Sequence, residues 1–256
     1  MLKSTKKPKQ ILPYWQNFRK FESRMSNKVT KHIPNFITCC NLFSGCMAVL
    51  AAFAGDTTST LMWVVIGAVC DFLDGFAARL LKAYSPVGLQ LDSLADLITF
   101  GLAPSLLCYS ILGRCNYNTE SSILLYGIPL LGFLIVVFSA IRLAKFNTDT
   151  RQTNSFIGLP VPANALFWCG LFYGDITLLE ENPWITIILV VIFSFLMISE
   201  IPMFSLKFKS LGWSENKIRF IFLIVSVAIL IWLGISGIPA VIGWYIILSL
   251  LTKGQS

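Results

Sequence analysis

Eight apolar runs dominate this chain, each roughly long enough to cross a ~30 Å hydrocarbon core at ~1.5 Å per helical residue. They cover residues 34–53, 58–81, 88–112, 122–144, 161–178, 183–204, 218–233 and 238–251. Backbone in lipid must satisfy its own hydrogen bonds, so runs of this length fold as helices. Only 13% of the residues are charged and 55% are apolar, whereas a soluble domain carries about 25% charged residues. The expected fold is therefore all-α: a polytopic membrane helical bundle of about eight transmembrane helices. The last two runs are the shortest. Only Gly234-Ile235-Ser236-Gly237 separates them, so they read either as two spans or as a re-entrant pair.

The basic residues orient the bundle. With the N-terminus in the cytoplasm and an even number of spans, Arg114 alone of the 20 Lys and Arg falls on the far side. Cytoplasmic loops collect Lys and Arg, so so uneven a split supports both the span count and the orientation, with both termini cytoplasmic. The net charge of +7 is then a topology signal with some attraction to anionic lipid, and no nucleic-acid partner is expected. Residues 1–32 form a basic arm ahead of a membrane domain over 33–252. The arm has no apolar core of signal-peptide type. Its stretch 11–25 mixes Leu12, Trp15, Phe18 and Phe21 with Arg19, Lys20 and Arg24, which suits either a helix lying on the membrane or a flexible arm. His32 is the single histidine, so neither His-centred catalysis nor a histidine metal site is expected. The seven cysteines show no metal-ligand spacing and read as small apolar residues.

Chemistry concentrates between Cys70 and Thr99. Asp71, Asp74, Asp92 and Asp96 lie in or at the end of segments that otherwise read as membrane-embedded. An isolated charge there costs at least ~2.5 kcal/mol on insertion scales. Arg79 supplies a single positive charge, and divalent metal is the natural remainder. Asp71 and Asp74 are three apart and Asp92 and Asp96 four apart, so each pair shares a helix face. Ser85-Pro86 is expected to end the first of these helices and turn the chain back. Two antiparallel helices would then face each other with paired carboxylates near the cytoplasmic end. An all-oxygen site suits Mg²⁺ or Mn²⁺, and four carboxylates have the capacity for two ions. Gly75, Ala78 and Gly88 strip bulk from the surroundings, which serves either a nucleotide or close helix contact.

The pattern Asp71-x-x-Asp74-Gly75-x-x-Ala78-Arg79, eight residues, Gly88-x-x-x-Asp92-x-x-x-Asp96 resembles the complete signature of the CDP-alcohol phosphotransferases, with no departure at any position. The resemblance implies that Asp71, Asp74 and Asp92 are metal ligands. It makes Asp96 the general base, within reach of a metal as well. It also implies that Asp71, Gly75, Ala78, Arg79 and Gly88 contribute to the CDP pocket, and that the protein is a homodimer.

The flanking segments resemble the branch of that family whose acceptor is serine. These are 33–45, with Asn35, Thr38 and Asn41; 91–96, followed by Phe100, Gly101, Ala103 and Pro104; Arg142 to Asn147; and 155–163, with Gly158 and Pro160. The substrates implied are CDP-diacylglycerol and L-serine, with CMP released. Asn35, Thr38 and Asn41 share a helix face, where they either hydrogen-bond the cytidine and its phosphates or join helices. Arg142 and Lys145 sit level with the aspartates. They are candidates for the serine carboxylate, against the alternative of plain topology signals. Gly158 and Pro160 belong to a loop expected to close over serine. The rival readings are a glycerol 3-phosphate or inositol phosphate acceptor, an archaeal ether-lipid donor, and, from another class, a cation transporter.

Overall fold

The computed structural model describes residues 32–117, 121–149, 156–174, 176–204 and 212–252. The basic arm, Arg151, Ser155, Lys207, Lys209 and Lys253 lie outside these residues. Helix α1 runs over His32–Phe53 and α2 over Thr57–Leu80. The Asp56 carboxylate opens α2, accepting the Ser59 backbone N–H at 3.0 Å and so satisfying an otherwise orphaned donor. Helix α2 ends at Leu80, and Lys82 turns the chain with φ +50°. Ser85-Pro86 does not terminate α2, as the sequence suggested. It starts α3, Pro86–Asp96: Ser85 Oγ accepts the Gly88 N–H at 2.9 Å, and Pro86 occupies the first turn, where its missing N–H costs nothing.

A π-helical turn, Leu97–Leu102, links α3 to α4, Ala103–Leu112. The wide turn closes with the Ala103 N–H on the Ile98 carbonyl, just ahead of Pro104, which has no N–H to continue an α-helical ladder. Helix α5, Ser122–Gly127, passes through a 3-10 segment at Pro129–Phe133 into α6, Leu134–Thr148. Ser105 Oγ donates to the Gly132 carbonyl at 2.9 Å. A Cβ at position 132 would lie 2.9 Å from the Tyr109 nitrogen, so glycine lets α4 cross there.

Helix α7 covers Val161–Tyr173, α8 Ile176–Glu181 and α9 Pro183–Ile198. The expected span over 161–178 is thus broken near Gly174, and the one over 183–204 stops at Ile198. Beyond it, β2 (Pro202–Met203) pairs antiparallel with β1 (Phe156–Ile157). Helix α10, Trp213–Leu233, and α11, Ile238–Thr252, are joined by a 3-10 turn over Gly234–Gly237. Among the described residues, five helical stretches are long and apolar enough to cross a membrane, with 216–252 counted as one. The chain is an integral membrane protein built as a helical bundle.

Helix α7, at 13 residues, is too short to span alone. It is enclosed by protein instead: Trp168, Phe172 and Cys169 are buried, and Phe167 stacks on Phe193 of α9 at 3.9 Å between ring centroids. The outward faces carry Phe36, Phe43, Leu50, Phe53, Ile231 and Trp232, a surface suited to lipid rather than water. On the far side from the aspartates, Arg114 Nη2 donates to the Ala54 carbonyl at 3.3 Å, tying the loop after α1 to the loop after α4.

Candidate active site

The carboxylates converge through α1. This helix packs along α2 and also against α3, while α2 and α3 barely touch each other. The two acid-bearing helices are joined mainly through α1, and a cavity lined by α1, α2 and α3 opens beside their carboxylates. Asp71 and Asp74 from α2 meet Asp92 from α3, each offering an oxygen within 4.8 Å of the others. Asp74 Oδ2 and Asp92 Oδ1 are buried with no hydrogen-bond partner. Orphaned carboxylate oxygens cost several kcal/mol in such surroundings unless something positive meets them, at ~1–3 kcal/mol or more per group. The donor set is all oxygen, and the residues fit a divalent cation such as Mg²⁺ or Mn²⁺.

Asp96 stands outside that trio, one turn further along α3. It is buried, and its Oδ1 accepts Asn41 Nδ2 from α1 at 3.0 Å. Asn41 thus takes the helix-joining role rather than lining the cavity. Its carbonyl also accepts Thr99 Oγ1 at 3.1 Å. Gly45 and Gly67 make room for this knot: a Cβ at either would collide with the Thr99 side chain. The Asn41–Asp96 pairing is the feature that sequence reading missed. Its one signal was a polar residue on the α1 face shared with Asn35 and Thr38.

Beside the trio lies a cavity of about 260 Å³. Asn35, Thr38, Gly75, Ala78, Arg79 and Gly88 line it together with Asp74 and Asp92. Asp71, the remaining candidate for CDP contact, is not in this lining and sits with the trio. The glycines have different reasons to be there. A Cβ on Gly75 would meet nothing within 4 Å and would project into open space. A Cβ on Gly88 would lie 2.8 Å from Asn35 Oδ1, so Gly88 lets α1 and α3 approach. Arg79 Nε donates to the Gly75 carbonyl at 3.0 Å, which holds the exposed guanidinium at the cavity mouth.

Arg142 and Lys145, on α6, line a second cavity of about 370 Å³ with Ile157, Ser199 and Glu200. Arg142 is 7% exposed, its guanidinium lies 5.0 Å from the Phe146 ring centre, and Nη2 has no hydrogen-bond partner. Asn147 Nδ2 donates to Ser93 Oγ at 2.8 Å and fastens the end of α6 to α3. Gly158 and Pro160 do not line this cavity. Gly158 is buried at φ +73°, its N–H donates to the Ile201 carbonyl at 2.9 Å, and a Cβ there would collide with the Met197 carbonyl oxygen. The described part of that loop is consequently anchored to the end of α9.

A model of the CDP-alcohol phosphatidyltransferase family matches residues 31–232. The chain is 34% identical over 221 residues to a CDP-diacylglycerol–serine O-phosphatidyltransferase of Helicobacter pylori, covering 84% of this chain and 87% of that protein. It is 38% identical over 135 residues to the protein of the same name from Bacillus subtilis, covering 51% of this chain and 70% of that one. It is also 30% identical over 158 residues to an archaetidylserine synthase of Methanothermobacter thermautotrophicus, covering 59% of this chain and 64% of that one.

Proposed function

The chain belongs to the CDP-alcohol phosphatidyltransferase family, and within it we propose that this enzyme transfers the phosphatidyl group of CDP-diacylglycerol to the hydroxyl of L-serine, releasing CMP. The observation that carries this reading is the meeting of Asp71, Asp74 and Asp92 at the edge of a cavity lined by the signature residues. The acceptor follows the relatives, which are named for serine transfer in two bacteria.

In the proposed mechanism the cytidine and its phosphates occupy the cavity between α2 and α3. Gly75 gives the nucleotide access to backbone, Asn35 and Thr38 offer hydrogen bonds, and Arg79 balances charge at the mouth. The acyl chains stay in lipid. Asp71, Asp74 and Asp92, with Asp96 within reach, would hold the divalent metal, Mg²⁺ or Mn²⁺ and two ions by the count of carboxylates. When bound, such metal neutralises the pyrophosphate and stabilises the leaving CMP.

Asp96, oriented by Asn41, takes the proton from the serine hydroxyl as that oxygen attacks the β-phosphorus. A carboxylate is a weak base for an alcohol, so the proton moves late, as the phosphorus–oxygen bond forms. The displacement is direct, with no phosphoryl-enzyme. Arg142, whose Nη2 has no hydrogen-bond partner, receives the serine carboxylate, and Lys145 adds positive charge. Gly158 and Pro160 shape this site from behind rather than touching serine. The enzyme works as a homodimer with its site facing the cytoplasm.

The test is purified protein with CDP-diacylglycerol, a divalent metal and a panel of labelled alcohols, scored for CMP. Serine-dependent CMP release is expected. Release that follows glycerol 3-phosphate or inositol phosphate instead would replace the acceptor. Parallel runs with an ether-lipid donor decide the tail chemistry.

A further inference from the structure

The second cavity carries charge of both signs, and the two signs come from different elements. Arg142 and Lys145 project from α6. Glu200 comes from the link between α9 and β2, just past the carboxyl end of α9 at Ile198. That helix end adds the negative end of its macrodipole to the Glu200 side. The link is held in place on both flanks: the Leu159 N–H donates to the Leu196 carbonyl at 3.1 Å, and the Gly158 N–H to the Ile201 carbonyl at 2.9 Å. Buried Gly158, with its left-handed backbone, is what allows this bracing.

We infer that Glu200 is a specificity residue that reads the ammonium group of the acceptor. The inference rests on the serine reading and deepens it. A free amino acid presents a carboxylate and an ammonium a few ångströms apart on one carbon. A cavity with a guanidinium on one element and a carboxylate on another matches both ends at once. The same carboxylate and helix end repel a phosphate dianion, which disfavours phosphorylated acceptors by charge alone. Asp149 also lines the cavity, but it lies four residues beyond Lys145 at the end of the same helix. It is thus a neighbour of a base on its own element, whereas Glu200 brings negative charge from the other wall.

The experiment measures initial rates of full-length, detergent-purified protein with CDP-diacylglycerol, a divalent metal and varied L-serine, for wild type, Glu200→Gln and Glu200→Asp. Loss of one charge-assisted contact predicts a rise in the serine KM on the order of tenfold for Glu200→Gln, with the KM for CDP-diacylglycerol unchanged. Glu200→Asp keeps the charge and stays closer to wild type than Glu200→Gln does. An unchanged serine KM in Glu200→Gln overturns the inference, as does an equal rise for both substrates, or an Asp variant no better than the Gln variant. In each of those cases wild-type, serine-dependent CMP release still upholds the serine reading. Wild-type protein that releases no CMP with serine overturns both.

Discussion

At the scale of single residues, the fold sets three of the four aspartates together and the fourth apart. Asp71, Asp74 and Asp92 share one locus with orphaned oxygens, while Asp96 is held apart by Asn41. Asp96→Asn is therefore expected to lower kcat by a factor on the order of 10²–10⁴, the usual worth of a general base, with CDP-diacylglycerol binding retained. Rate and binding measured on the same preparation check this, and wild-type kcat would remove the base assignment. Asp71→Asn and Asp92→Asn should instead raise the divalent-metal concentration needed for half-maximal activity. Gly75→Ala separates a substrate role from a structural one. The added methyl meets no protein atom, so the thermal midpoint should hold while the KM for CDP-diacylglycerol rises. A fall in the thermal midpoint with unaltered KM would mean that Gly75 serves the fold.

At the scale of elements, helix ends decide how the carboxylates are aimed. The start of α2 depends on Asp56, whose carboxyl is held below the ordinary carboxylate range by its hydrogen bonds to Ser59 and lies outside the membrane span. A pKa lowered on folding gives stability that is fully present above the unfolded value and lost as pH falls through the folded one. Asp56→Ala should cost about 1 kcal/mol near neutrality, and the gap to wild type should narrow in acid. Thermal unfolding across pH is the check, and a gap that widens in acid would contradict the cap. At the other end of the site, Gly158→Ala forces a side chain onto a left-handed backbone against the Met197 carbonyl, at a cost of roughly 1–3 kcal/mol. The thermal midpoint should drop, and the α9–β2 link that carries Glu200 should loosen.

At the scale of the whole molecule, Arg114 and the Ala54 loop mark one face of the bundle, and Arg79, Lys82, Arg142 and Lys145 lie toward the other. A single cysteine placed at Gly113 in an otherwise cysteine-free protein should react with an impermeant thiol reagent added outside intact cells. Labelling only after lysis would reverse the orientation.

Much of this was legible from the chain because the signature is local. Asp71 with Asp74, Gly75, Ala78 and Arg79 lie within three turns of α2, and Gly88 with Asp92 and Asp96 on α3, so helical periodicity alone sets each group on a face. Apolar length likewise prescribed a helical bundle, because lipid leaves the backbone few other choices. Tertiary structure decided the rest. Asn41 meets Asp96 across 55 residues of sequence, α1 rather than α2 supports α3, and Arg142 and Glu200 share a cavity from separate elements. In a membrane helix nearly every face is apolar, so the alternation that reveals an inward face in soluble proteins is erased. Which helices meet is then set by shape, small residues and buried polar pairs, and these become visible only when the helices are packed.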